Sequence, residues 1–119
     1  MKKFTVIFAL LMLMIPFSIN AEWMAYTVKT SSGLIINGAG LYHGVKVNTD
    51  GTNDATVTVY DSTTASGPVI DASTVYSGSS NSGSSSYAPP LQYKSGLYLQ
   101  LATSGTATVT VYYTPSDLK

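Results

Sequence analysis

The hexapeptide Ala-Thr-Val-Thr-Val-Tyr occurs twice, letter for letter, at residues 55–60 and 107–112. Each copy alternates apolar and polar side chains with the period of two that a β-strand imposes and an α-helix does not. Ala55, Val57 and Val59 therefore share one face, as do Ala107, Val109, Val111 and then Tyr113. Thr56, Thr58 and Tyr60, and likewise Thr108, Thr110 and Tyr112, take the other. The alternation extends upstream of both copies. Leu41, His43, Val45 and Val47 form one row against Tyr42, Gly44, Lys46 and Asn48, and Leu97, Leu99 and Leu101 form the inward row ahead of the second copy. Asn48-Thr49-Asp50-Gly51-Thr52-Asn53 breaks the first pattern and Thr103-Ser104-Gly105 the second. The spacing predicts two structurally equivalent β-hairpins, with Asp50-Gly51 supplying the positive φ of the first turn. Gly-Leu-Tyr recurs at 40–42 and 96–98, and the second turn is four residues shorter. A duplicated hairpin and two strands that met one packing problem alike both account for the repeat.

Weaker strands are expected at 25–30, 33–37, about 68–76 and about 87–93. Seven or eight short strands with turn-punctuated spacing and no helical period predict an all-β domain over residues 22–119. Its expected architecture is a single antiparallel β-sandwich, either jelly-roll or immunoglobulin-like in its connections. Pro89-Pro90 assigns its segment to a sheet edge or a strand start. The Ser/Gly run at 77–86 reads as a flexible surface loop that buries nothing, though not as a domain boundary, since later strands complete the sheet.

The first residues have a different character. Met1-Lys2-Lys3 precedes an apolar run from Phe4 to Ile15, then Pro16 and Ile19-Asn20-Ala21, the pattern of a secretory signal peptide cleaved after Ala21. An uncleaved anchor and a start at Met24 are the alternatives; the run is short for a bilayer span. Beyond residue 21 the chain carries four Lys and no Arg against six acids, so it cannot neutralise the several phosphates that nucleic-acid binding requires. All three Phe lie before residue 21, which leaves Trp23 and nine Tyr as the aromatic residues of the domain. The chain has no Cys, so neither a disulfide nor a thioether lipid anchor is available, and stability has to come from sheet packing or from partner subunits.

Few residue types here carry chemistry. His43 is the sole imidazole, assigned to the row of Val45 and Val47, and expected to be a core or rim residue bonded to backbone. Asp50, Asn53 and Asp54 gather oxygen ligands in one loop, a candidate calcium site, but no closing Glu follows and hairpin turns select the same residues. Asp61 and Asp71 flank Ser66-Gly67-Pro68, and a glycosidase-like carboxylate pair there lacks any cleft-lining Glu. No catalytic residue and no cofactor site is expected, and the chain reads as non-enzymatic. Tyr42, Tyr60, Tyr98 and Tyr112 with Lys46 and the threonines between them are expected to form one outward interaction face, suited to a subunit or glycan contact; ordinary cross-strand pairing on a solvated face is the alternative. The two uncharged hexapeptides favour sheet-edge association if either lies at an edge.

The succession Ser32-Gly33, Gly40 to Asn48, Ala55 to Asp61, Ala65-Ser66-Gly67, Gly96-Leu97-Tyr98 and Val109 to Tyr113 resembles small β-sandwich virion structural proteins of tailed phages and prophages, of head-decoration or tail-associated type. The likeness covers most of residues 32–113 and carries no catalytic residue. It implies a structural protein that acts through repeated contacts with itself or with other subunits, in a virion. The leader departs from it, because virion proteins assemble in the cytoplasm. An exported periplasmic or cell-surface binding or adhesion module, recognising a glycan or a host factor, is the alternative.

Overall fold

The computed structural model describes residues 24–78 and 81–116; the expected leader lies outside them. The described chain forms eight strands: β1 (Ala25–Lys29), β2 (Gly33–Asn37), β3 (Gly40–Thr49), β4 (Ala55–Tyr60), β5 (Val69–Val75), β6 (Ser82–Tyr93), β7 (Gly96–Thr103) and β8 (Ala107–Pro115). They make two four-stranded antiparallel sheets, the first in the order β1-β8-β3-β6 and the second β2-β7-β4-β5. Strands one and eight, two and seven, three and six, and four and five are partners, as in a single long antiparallel ribbon rolled up on itself. That order is a jelly roll, and it decides between the two sandwich topologies that alternation alone leaves open. The core lies between the sheets, where Val45, Val47, Val57, Val59, Leu97, Leu99, Val109 and Val111 are buried. At about 1.5–3 kcal/mol for each fully buried aliphatic side chain, this row is the main stabilising term.

The two expected hairpins are not hairpins. β3 and β4 lie in opposite sheets, and so do β7 and β8, so each pair is an arch that crosses the sandwich. Alternation has the same form in both cases, because a return strand that packs face to face also turns its apolar row toward the core. Only β4 and β5 form a hairpin, joined by residues 61–68 and closed by the Asp61 amide donating to the Pro68 carbonyl at 2.8 Å.

The equivalence of the two segments survives in another form. β4 pairs with β7 and β8 pairs with β3 in one shared register: Ala55 faces Thr103 as Ala107 faces Thr49, Val57 faces Leu101 as Val109 faces Val47, and Val59 faces Leu99 as Val111 faces Val45. A quasi-two-fold therefore exchanges the arches and the sheets. The repeated Gly-Leu-Tyr triplets fall out of that register, since Tyr98 lies opposite Tyr60 whereas Tyr42 lies opposite Tyr113. Both hexapeptides occupy interior strands, so neither offers a free edge.

A β-bulge between Tyr42 and Gly44 accounts for the triplet shift and corrects the β3 pattern. The extra residue, His43, reverses the alternation: Tyr42 turns into the core and is fully buried, and His43 turns out to the rim. His43 Nε2 lies 2.8 Å from Thr114 Oγ1, a side-chain partner rather than the expected backbone one. The Ser/Gly run is corrected as well, because Ser82–Ser86 form the first half of β6, pairing with β3 at an edge of the first sheet. Small side chains are what the position requires. A Cβ on Gly83 would sit 2.9 Å from Val75 Cγ2 of the opposite sheet, and Ser85 points inward to a buried carboxylate. Ala88-Pro89 is a cis peptide on the same edge strand, consistent with the expected edge placement of the two prolines.

Candidate functional site

Strand pairing lays out the outer face of the first sheet in rows. One row runs Ser86, Gly44, Tyr112, Tyr26 across β6, β3, β8 and β1; the next runs Ser84, Lys46, Thr110, Val28. Gly44 has φ +150°, and a Cβ there would run into the Ser85 carbonyl, so the bulge and the close approach of β6 admit glycine alone. The quasi-symmetry gives this glycine its significance. Gly44 stands opposite Tyr112 where, in the second sheet, Tyr98 stands opposite Tyr60. The second sheet fills that position with a ring; the first leaves it empty beside Tyr112.

The result is an open groove of about 260 Å³, lined by Met24, His43, Gly44, Val45, Lys46, Ser84, Ser85, Ser86 and Tyr112. Tyr112 supplies its aromatic wall, and the Tyr26 ring packs against Tyr112 from outside the groove, 6.5 Å away and tilted by 46°. Its polar groups are hydroxyls, an imidazole and the Lys46 amine, and no carboxylate lines it. Met24, Tyr26 and Val28 are 56, 67 and 51 % exposed beside it.

The expected tyrosine face divides three ways. Tyr112 and Lys46 lie on the outer face of the first sheet; Tyr60 and Tyr98 lie on the outer face of the second, where Tyr60 donates to Gln100 Oε1 at 2.8 Å. Tyr42 belongs to the interior. It donates to Asp71 Oδ2 at 2.6 Å, and Asp71 also accepts from Ser85 at 2.5 Å and from Tyr87 at 3.1 Å. The Tyr42 and Tyr87 rings pack 5.9 Å apart. Burial, and then the neighbouring Asp71 carboxylate, hold the Tyr42 hydroxyl far above the usual phenol range, and the same causes in the same order raise Tyr87. Asp61 serves a different place, accepting from the amides of Lys94 and Ser95 in the β6–β7 turn, so it shares no partner with Asp71.

The candidate calcium loop is brought together only in part. Asp50 accepts from the amides of Thr52, Asn53 and Thr106, from the Thr52 hydroxyl and from the Asn53 side-chain amide, and Asn53 in turn accepts from Ser104. These donors, led by the Thr106 amide, hold the Asp50 carboxyl well below the usual range. Asp54 turns away to accept from the Ser77 amide at 2.7 Å. Asp50 thus ties the loops of the two arches together, and its oxygens are occupied by donors from the chain itself. Among the described residues no three His, Cys, Asp or Glu side chains cluster in a way that could hold a metal ion.

Sequence reasoning misses Met24, Tyr26, Ser84, Ser86 and the outward turn of His43. The available signal is Gly44, since a glycine inside an alternating strand marks a bulge or a close backbone approach, and a bulge reverses the assignment of every residue before it. The fold is thus a jelly-roll β-sandwich with an open groove on one outer face. The chain matches no known protein-family model, no curated protein and no solved structure.

Proposed function

We propose that this protein is a non-enzymatic binding and adhesion module that engages its partner through the outer face of the first sheet. One observation carries the reading: Gly44 takes the position whose quasi-equivalent is Tyr98, and so opens a groove against Tyr112. A rigid aromatic wall beside small hydroxyl side chains gives contact area at low entropic cost. The groove side chains include no nucleophile-base pair with an orienting carboxylate, which favours binding over catalysis. The test is retention of the full chain on an array of immobilised glycans and host-surface extracts. Retention should fall in Tyr112→Ala and persist in Tyr60→Ala; the reverse pattern overturns the assignment of the face. An exported location rests on residues 1–21, and intact mass of the native protein tests it, a chain beginning at Glu22 supporting export and one beginning at Met24 opposing it.

A second reading, assembly of repeated subunits as in the virion proteins the sequence resembles, draws on Met24, just before edge strand β1, and on Tyr26 and Val28 within it, all three exposed. Sedimentation equilibrium separates the two. A concentration-dependent oligomer that Tyr26→Ser dissolves supports assembly, and a monomer at all concentrations removes it.

A further inference from the structure

We propose that the groove over Gly44 binds a carboxylate-bearing pyranose, such as a uronate or sialate unit of an acidic glycan. The inference rests on the outer face of the first sheet being the binding surface, and it names the ligand class. At about 260 Å³ the groove falls below the roughly 300–1,000 Å³ that drug-sized ligands fill, so it accepts one ring rather than a cluster of side chains.

Shape and chemistry narrow the class. Tyr112 presents an aromatic wall against which the apolar C–H face of a sugar ring can lie, and Ser84 and Ser86 supply hydroxyls that both donate and accept, matching sugar hydroxyls. Lys46 places a cation in the groove, and no lining residue carries an opposing carboxylate, so charge complementarity selects an anionic ligand and rejects a quaternary ammonium. A single lysine with no arginine suits one carboxylate better than a phosphate chain, which draws on several cations or bidentate guanidinium forks. The groove is also open at one side. The outward residues in the first half of edge strand β6, beside the groove, are Ser82, Ser84 and Ser86, all exposed and small, so a glycan seated by one ring can continue past the sheet edge.

The experiment is calorimetric and NMR titration of the protein, as it is recovered from its producing cells, with tetragalacturonate and 3′-sialyllactose, with maltotetraose as the neutral probe. The expected result is binding of an acidic probe, weakened at least tenfold by Lys46→Gln and by raising salt to half-molar, lost in Tyr112→Ala, and unchanged in Lys94→Gln and Tyr60→Ala. Lys46 is exposed, so Lys46→Gln gives an answer even where Tyr112→Ala perturbs folding. Equal binding of maltotetraose, with no effect of Lys46→Gln, overturns the acidic-sugar assignment and leaves the binding face standing. Saccharide binding lost in Tyr60→Ala rather than Tyr112→Ala overturns the face itself. No binding of any of the three probes at millimolar concentration overturns the ligand class, while retention on host-surface extracts tests the face independently.

Discussion

Tyr42, on β3 of the first sheet, donates its phenolic hydrogen to Asp71, on β5 of the second, across a distance of 2.6 Å. Ser85 and Tyr87 of β6 donate to the same carboxylate, so three hydroxyls from the first sheet converge on one buried acid of the other. Asp71 is only 7 % exposed, and among the described residues these three side chains supply the hydrogen bonds that a buried carboxylate needs. The network fixes how the β5 and β6 edges of the two sheets meet.

Removing either end of the network should destabilise the fold. Tyr42→Phe deletes one charge-assisted hydrogen bond and is expected to cost about 1.5–3 kcal/mol, and Asp71→Ala, which orphans three hydroxyls, about 3 kcal/mol or more. Chemical denaturation at neutral pH measures both. A change below about 0.5 kcal/mol in each would mean that the network contributes nothing net.

The same tyrosines set a response to alkali. Tyr42 and Tyr87 hold their protons more tightly in the fold than in the unfolded chain, where a phenol ionises near pH ~10. Their contribution is complete below that pH and is lost as pH rises above it, because the unfolded state then binds fewer protons than the native state. Thermal stability should decline above about pH 10, less steeply in Tyr42→Phe than in the parent. Identical slopes would contradict the assignment.

Asp50 acts in the opposite direction. Its carboxyl is held low by the Thr106, Thr52 and Asn53 donors, so its contribution is present above the ordinary carboxylate range and lost as pH falls through its own lowered value. Asp50→Asn turns one oxygen acceptor into a donor facing other donors, and should lower the melting temperature at pH 7. The gap between variant and parent should close in acid. Adding calcium or chelator should leave the parent's melting temperature unmoved, since the Asp50 oxygens already accept five hydrogen bonds.

Neighbouring serines in β6 should behave differently. Ser85→Ala removes a donor to Asp71 and is expected to cost about 1–3 kcal/mol, whereas Ser84→Ala, on the exposed face, should stay within about 0.5 kcal/mol. A flexible loop would make the two equal and small.

Gly44→Ala tests the bulge that opens the groove. The new Cβ meets the Ser85 carbonyl and the backbone φ is one that alanine rarely adopts, so a loss of about 2 kcal/mol or more is expected from strain and from parting β3 and β6. Gly78, with nothing near its Cβ position, is the control for the φ penalty without the collision.

The sequence by itself determined most of the strands, all but the first half of β6, and most of the core. Val57, Val59, Val109 and Val111 read as inward from a period of two, and β2 and β5 fall where turn chemistry bounds them. Tertiary structure decided everything that depends on which strand lies beside which. An arch and a hairpin carry the same alternation, so β3 and β7 could not be assigned to a sheet from their own residues. The bulge at His43 changes the parity of a strand by one residue, which moves Tyr42 from the surface row to the core and His43 to the rim. The serine run looked incapable of burial because a strand's ladder hydrogen bonds come from backbone that every residue shares; it needed Asp71, eleven residues before Ser82, to give Ser85 a buried partner. The groove is the clearest case, because the gap beside Tyr112 exists only when Gly44 and Tyr98 are placed at quasi-equivalent positions in two different sheets, a relation set by register between distant segments rather than by any local pattern.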